Sequence, residues 1–228
     1  MRSLRILPYA VFALLCMNFL IFLCRGAYFY VPVSVSRFLS IISNVWWIAM
    51  TGYIFSHIIV FNCIFGLLNL SQSMWHVWHF YIFTTIAQSF RLNTMALIQR
   101  AEAGKADTGF LCDLVVSQLA AFLEIASFYL LMRAAAQTVE MLSESEIPAK
   151  FCRRIADICG FCGILFHIAY FFIRLLSRQG AVSPILLYAY PVLFLLWVVL
   201  GFLNAFLLNR NCRYIWLFVY NGTNPRRF

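Results

Sequence analysis

Apolar residues in this chain come in runs of twenty or more, and polar residues collect in short patches between the runs. A bilayer core about 30 Å thick needs about 20 apolar residues per crossing helix, so each run predicts a spanning helix. The first extends from Ile6 to Cys24, with Arg2 and Arg5 before it and Arg25 after it. It has the basic start and apolar body of a signal peptide but no small-x-small cleavage pattern, so it reads as an uncleaved signal-anchor. Residues 25–37 break the pattern with Gly26, Pro32 and Arg37. The next run, Phe38 to Leu70, is too long for one straight crossing. Trp46 and Trp47 mark an interface there and leave Ile48 to Leu70 for the membrane core.

A third run covers Met74 to Leu97 and a fourth Phe110 to Met132, separated by the polar loop Ala101–Gly109. The fourth is able to continue as helix through Ala134–Leu142 to the charged turn SESEIPAK. Ile155 to Leu176 and Pro184 to Leu208 complete six segments, and Asn209–Phe228 reads as a tail. The expected architecture is all-α, a polytopic bundle of about six transmembrane helices. Residues 1–44 form an N-terminal anchor and connection, 45–215 the bundle and 216–228 a C-terminal tail.

Composition sharpens this picture. The chain is 64% hydrophobic and 11% charged, with mean hydropathy +0.86, against about 25% charged residues in a soluble domain. Too few charges remain to coat a water-facing surface. The formal charge is +9, yet no Asp or Glu precedes Glu102, and all the basic residues except Lys105 and Lys150 are arginines. They stand singly at the ends of apolar runs, as headgroup anchors do, which argues against nucleic acid as a partner. With both termini on one face, that face carries about ten basic residues against about seven opposite, favouring a cytoplasmic-type side for both. The sequon Asn221-Gly222-Thr223 would then never meet a glycosylating lumen. The eight cysteines lie in or beside apolar runs and suggest buried, reduced thiols. Cys159-x-x-Cys162 opens a spanning segment and lacks a second pair, so no metal is expected.

Ionisable groups inside a membrane are costly and need a partner or a purpose. Asp113, Ser117 and Glu124 share one stripe of segment four. Candidate partners are His57 on segment two, His76 and His79 on segment three, and His167 and Arg174 on segment five. Two readings stay open. The seven groups line a cavity for a polar or amphipathic ligand, or they bond one another as glue between helices. Four histidines suffice for bis-His haem ligation, but no repeated pair pattern is present, and the further clusters of a di-iron site are missing. No cofactor is expected.

The stretch GYIFSHIIVFNCIFGLLNLSQSMWHVWH, Gly52 to His79, resembles the TLC family of membrane proteins, which includes the ceramide synthases and smaller TLC-domain proteins. In that family an acidic residue follows a Gly-Tyr stretch and a His-His pair comes about 19 residues later. Here those positions hold His57 and His76-Val77, with His79 nearby. FLEIASF, Phe122–Phe128, is similar to the family's Glu-containing stretch, with Glu124 matching and the proline missing. AYFFIRLL, Ala169–Leu176, keeps the family's arginine as Arg174, and Phe202-Leu203-Asn204 resembles its closing pattern. The likeness covers about residues 45–215 in order.

The family's catalytic members imply acyl transfer by the His-His pair and nearby acids, which requires a base beside the nucleophile and a group to steady developing charge. His76, His79 and Glu124 are the residues that would carry it here. The incomplete pair and the missing upstream acid instead suggest a non-catalytic relative, which binds lipid or serves as an accessory subunit of a larger membrane complex. The expected partners are membrane lipids and other membrane subunits. The resemblance points to the endoplasmic reticulum, and the acid-free first hundred residues are also compatible with the mitochondrial inner membrane.

Overall fold

A computed structural model describes the backbone of residues 2–30, 36–101, 106–143, 147–178 and 184–221, and side chains within 2–24, 40–89, 114–142, 150–173, 175–176 and 188–219. The described residues are helical almost throughout: α1 (Arg2–Tyr30), α2 (Ser36–Phe65), a 3₁₀ turn (Leu68–Leu70), α3 (Gln72–Ala101), α4 (Ala106–Ser143), α5 (Ile147–Arg178) and α6 (Pro184–Asn221). No strand occurs among the described residues. The all-α membrane-bundle class expected from the sequence is therefore present.

Among the described residues, five stretches are long and apolar enough to cross a membrane: Arg2–Cys24, Ser40–Leu70, Leu114–Leu142, Lys150–Ile173 and Tyr188–Val219. α3 is 30 residues long, and its side chains are described from Gln72 to Ser89. Burial is inverted relative to a soluble protein. Large apolar side chains such as Ile48, Tyr188, Leu195 and Phe206 are exposed, while Gln88, Ser117, Glu124, His167 and Asn211 are buried. Only a hydrocarbon surrounding makes that distribution favourable, because water would leave the large apolar surface unburied. The chain is membrane-integral.

Contacts divide the chain into two units, residues 1–67 with 201–228, and residues 68–200. In the first, α1 and α2 run antiparallel with glycines at the seam. A Cβ on Gly52 would stand 2.7 Å from Met17 Sδ, and one on Gly66 would meet Ser3 Oγ. Small residues let helix backbones approach where no hydrophobic effect drives them together. Gly66 also ends α2. Its amide still reaches Asn62 O at 3.0 Å, and the next amide tightens onto Ile64 O at 2.9 Å, the switch to 3₁₀ geometry. The C-terminal half of α6 packs on α1 through Phe12 and Phe202, whose ring centroids are 5.2 Å apart.

In the second unit, α3, α4, α5 and the first part of α6 are each antiparallel to the next. Among the described residues of α3, the buried positions are Met74, Val77, Tyr81, Thr84 and Gln88, a strict 3–4 repeat of the kind that makes a left-handed seam. The α4–α5 contact closes with an ion pair, Arg153 Nη2 to Glu140 Oε2 at 2.9 Å. Phe166, Tyr170, Tyr190, Phe194 and Trp197 cluster between α5 and α6, with the Phe166 and Trp197 rings nearly parallel and stacked at 5.2 Å.

Helices run past the apolar segments that announce them. Of the expected loop Ala101–Gly109, Ala101 closes α3 and residues 106–109 already belong to α4, while residues 102–105 lie outside the described residues, and the expected tail is helical through Asn221. Residues 209–213 interrupt hydropathy without offering a glycine or proline to stop a helix, and Gly222 is the first breaker after them.

Candidate functional site

The densest buried polar array is the α3–α4 seam. Thr84 Oγ1 lies 2.6 Å from Ser127 Oγ and 3.0 Å from the carbonyls of Phe80 and Leu123. A threonine hydroxyl has one proton, so Thr84 donates to one of these three oxygens at a time. One turn along, Gln88 Nε2 donates to Glu124 Oε2 at 3.2 Å, with both side chains buried. Toward the other end, Ser73 Oγ donates to Gln137 Oε1 at 2.8 Å, and Thr138 Oγ1 reaches Ser71 Oγ at 3.5 Å. Tyr81 is 1% exposed on the same α3 face. Ser117 and Gln118 are buried further along α4, and Gln118 Oε1 has no hydrogen-bond partner among the described residues.

Of the residues expected to form a site, Glu124 is at the heart of this seam. His76 and His79 are exposed on the opposite face of α3. His79 Nδ1 donates to the Trp75 carbonyl at 2.6 Å, and its ring stands against Trp75 and Trp78. Seen along α3, His76 is twelve residues from Gln88, Glu124's partner, and His79 is nine. At 1.5 Å per residue these separations are roughly 18 and 14 Å, so neither imidazole is placed beside the carboxylate.

His167 is buried in an aromatic box, with Phe166, Trp197 and Phe122 centroids at 5.1, 5.5 and 6.4 Å. His57, in the first unit, is buried with its ring 5.2 Å from that of Tyr53. Asp113 falls on α4 and Arg174 on α5, and the side chains of both lie outside the described residues.

Sequence reasoning did not single out Thr84, Gln88, Ser127 or Tyr81. For Tyr81, Thr84 and Gln88 the signal is the 3–4 spacing inside α3, hidden because the positions mix apolar and polar types. It also passed over Arg133, whose Nη1 donates to Tyr129 OH at 2.8 Å on the same helix. No group of three His, Cys, Asp or Glu side chains suited to a metal occurs among the described residues. The described cysteines are free thiols.

Chemically, the seam holds a carboxylate and several hydroxyls and amides in a buried line. It suits helix cohesion or the polar end of an amphipathic ligand, with Gln88 donating to the Glu124 carboxylate across the seam. Comparison with protein-family models, with curated proteins and with solved structures finds no match for this chain.

Proposed function

We propose that this chain is a non-catalytic, TLC-like integral membrane protein that contacts lipid and packs as an accessory subunit of a larger membrane assembly. The separation of His76 and His79 from Glu124 supports this reading most. Acyl transfer requires base, orienting group and nucleophile within hydrogen-bond reach, whereas here the histidines face outward in an aromatic collar and the carboxylate faces a neighbouring helix. Tryptophan and histidine at the start of α3 suit the headgroup level. The wide apolar outer faces of α2 and α6 suit acyl chains or partner helices. The endoplasmic reticulum is the membrane favoured by the family resemblance, with the mitochondrial inner membrane as the alternative.

The test compares wild-type chain with His76→Ala/His79→Ala and Glu124→Gln in native membranes. Acyl transfer from acyl-CoA to a long-chain base is measured beside migration on a native gel. The expected outcome is no transfer above membranes lacking the chain, and unchanged migration of the histidine variant. Transfer that depends on the wild-type chain and disappears with His76→Ala, while the protein stays folded, would establish the acyltransferase reading instead.

A further inference from the structure

The first unit has a charge problem that its own side chains do not solve. Residues 1–67 and 201–228 include eight arginines, no lysine and no aspartate or glutamate. No acidic side chain within the unit itself is available to neutralise these arginines. The arginines are not evenly spread, since Arg5 on α1 and Arg213 on α6 open onto one cavity.

That cavity has a volume of 370 Å³ and is lined by Leu4, Arg5, Tyr9, Asn209, Arg213 and Trp216, with Cys212 and Leu217 completing it. Leu4 and Cys212 are buried and give it an apolar floor. The Arg5 guanidinium lies 4.2 Å from the centroid of the Trp216 ring. Such stacking holds the guanidinium plane while leaving its N–H edge available to donate. Arg213 adds a second fork, and Asn209 and Tyr9 add neutral hydrogen-bonding groups. The site is at the end of the unit where α1 starts, beside exposed Ile6 and Phe12.

Two arginines, one pre-oriented by a tryptophan, in a cavity of ligand size (about 300–1,000 Å³) match a tetrahedral oxyanion. Guanidinium pairs phosphate through parallel N–H···O bonds, and basic pockets between membrane helices take anionic headgroups. The volume accommodates a phosphate with its glycerol but not acyl chains, which would run along the exposed apolar face of α1. We infer that this cavity is a binding site for a phosphate ester anion, the headgroup of an anionic membrane lipid. This site is independent of the α3–α4 seam and of any role for Glu124.

The experiment uses the full-length chain, stripped of lipid in mild detergent and followed by native mass spectrometry and thermal unfolding. Phosphatidylglycerol, phosphatidylcholine and inorganic phosphate are added separately. The expected result is one retained phosphatidylglycerol per chain, preferred about tenfold or more over phosphatidylcholine. Arg5→Gln/Arg213→Gln should abolish that preference, whereas Arg154→Gln, an equal-charge change on α5, should keep it. Protection by inorganic phosphate equal to that by the lipid would overturn the lipid assignment in favour of a soluble anion. Equal retention of the two lipids, or equal behaviour of the cavity and control variants, would overturn the site itself. A phosphatidylglycerol carrying a photoreactive group near its phosphate provides a check on wild-type protein: adducts are expected on Tyr9 or within 209–217, and adducts confined elsewhere would also overturn the site.

Discussion

At the scale of single residues, three glycines separate close approach from mere absence of a side chain. A Cβ on Gly163 would come 2.8 Å from Trp197 Nε1 and 3.2 Å from Ile125 Cδ1. Trp197 cannot swing away cheaply, because its ring is stacked on Phe166. Gly163→Ala should therefore destabilise by about 1–3 kcal/mol, the usual cost of overpacking. At Gly160 the nearest atom is Tyr129 Cδ2 at 3.8 Å, so Gly160→Ala should stay within about 1 kcal/mol of the wild type. Gly52→Ala should fall between them, since Met17 is flexible and can move. Thermal unfolding in detergent orders the three variants, and a Gly160 variant weaker than the Gly163 variant would contradict the packing described. Thr84→Val removes a hydroxyl with three neighbours, for an expected loss of about 0.6 kcal/mol and at most about 1.7.

Residue identity alone made Glu124 legible, because a carboxylate inside an apolar run demands an explanation. It did not make Gln88 legible, since a glutamine in a helix that also carries exposed Ser89 and Thr85 looks like one more surface amide. Facing direction decides between them, and direction requires knowing which helix packs where. The histidines illustrate the same point. Sequence placed His76 and His79 on one side of α3 correctly, but could not tell that this side points away from α4.

At the scale of elements, hydropathy located the six described α-helices and placed most of their ends several residues off. It reports where the chain meets hydrocarbon, whereas helix ends follow from backbone breakers and caps. α4 and α6 are each 38 residues long, well beyond the roughly 20 needed to cross, so both project past any apolar window. Between elements, the α3–α4 register makes a sharp expectation. With the native cysteines replaced, Thr84→Cys/Ser127→Cys should form a disulfide on mild oxidation, because the two hydroxyl oxygens are already 2.6 Å apart. Thr85→Cys/Ser127→Cys should not, as Thr85 faces outward. Mass spectrometry of the fragment pair reads both, and crosslinking through position 85 alone would mean that the seam is rotated.

At the scale of the whole molecule, the buried polar and exposed apolar surfaces require a membrane. The first unit adds a topological consequence. Because Arg5 stands on Trp216, the start of α1 and the end of α6 lie at the same end of that unit. Tags on the two termini should be cleaved together or protected together when protease is added to sealed vesicles. Cleavage of one tag alone would contradict this antiparallel pairing. The arginine-rich character of that end favours the cytoplasmic-type side.

The role as an accessory subunit is tested most directly by gentle-detergent purification of the tagged chain from its native membrane, with mass spectrometry of co-purifying proteins and lipids. The expected result is a stoichiometric set of other membrane subunits together with retained anionic lipid. A solitary chain, stable alone and carrying one defined acyl donor, would contradict the subunit role and return His76 and Glu124 to consideration as catalytic groups.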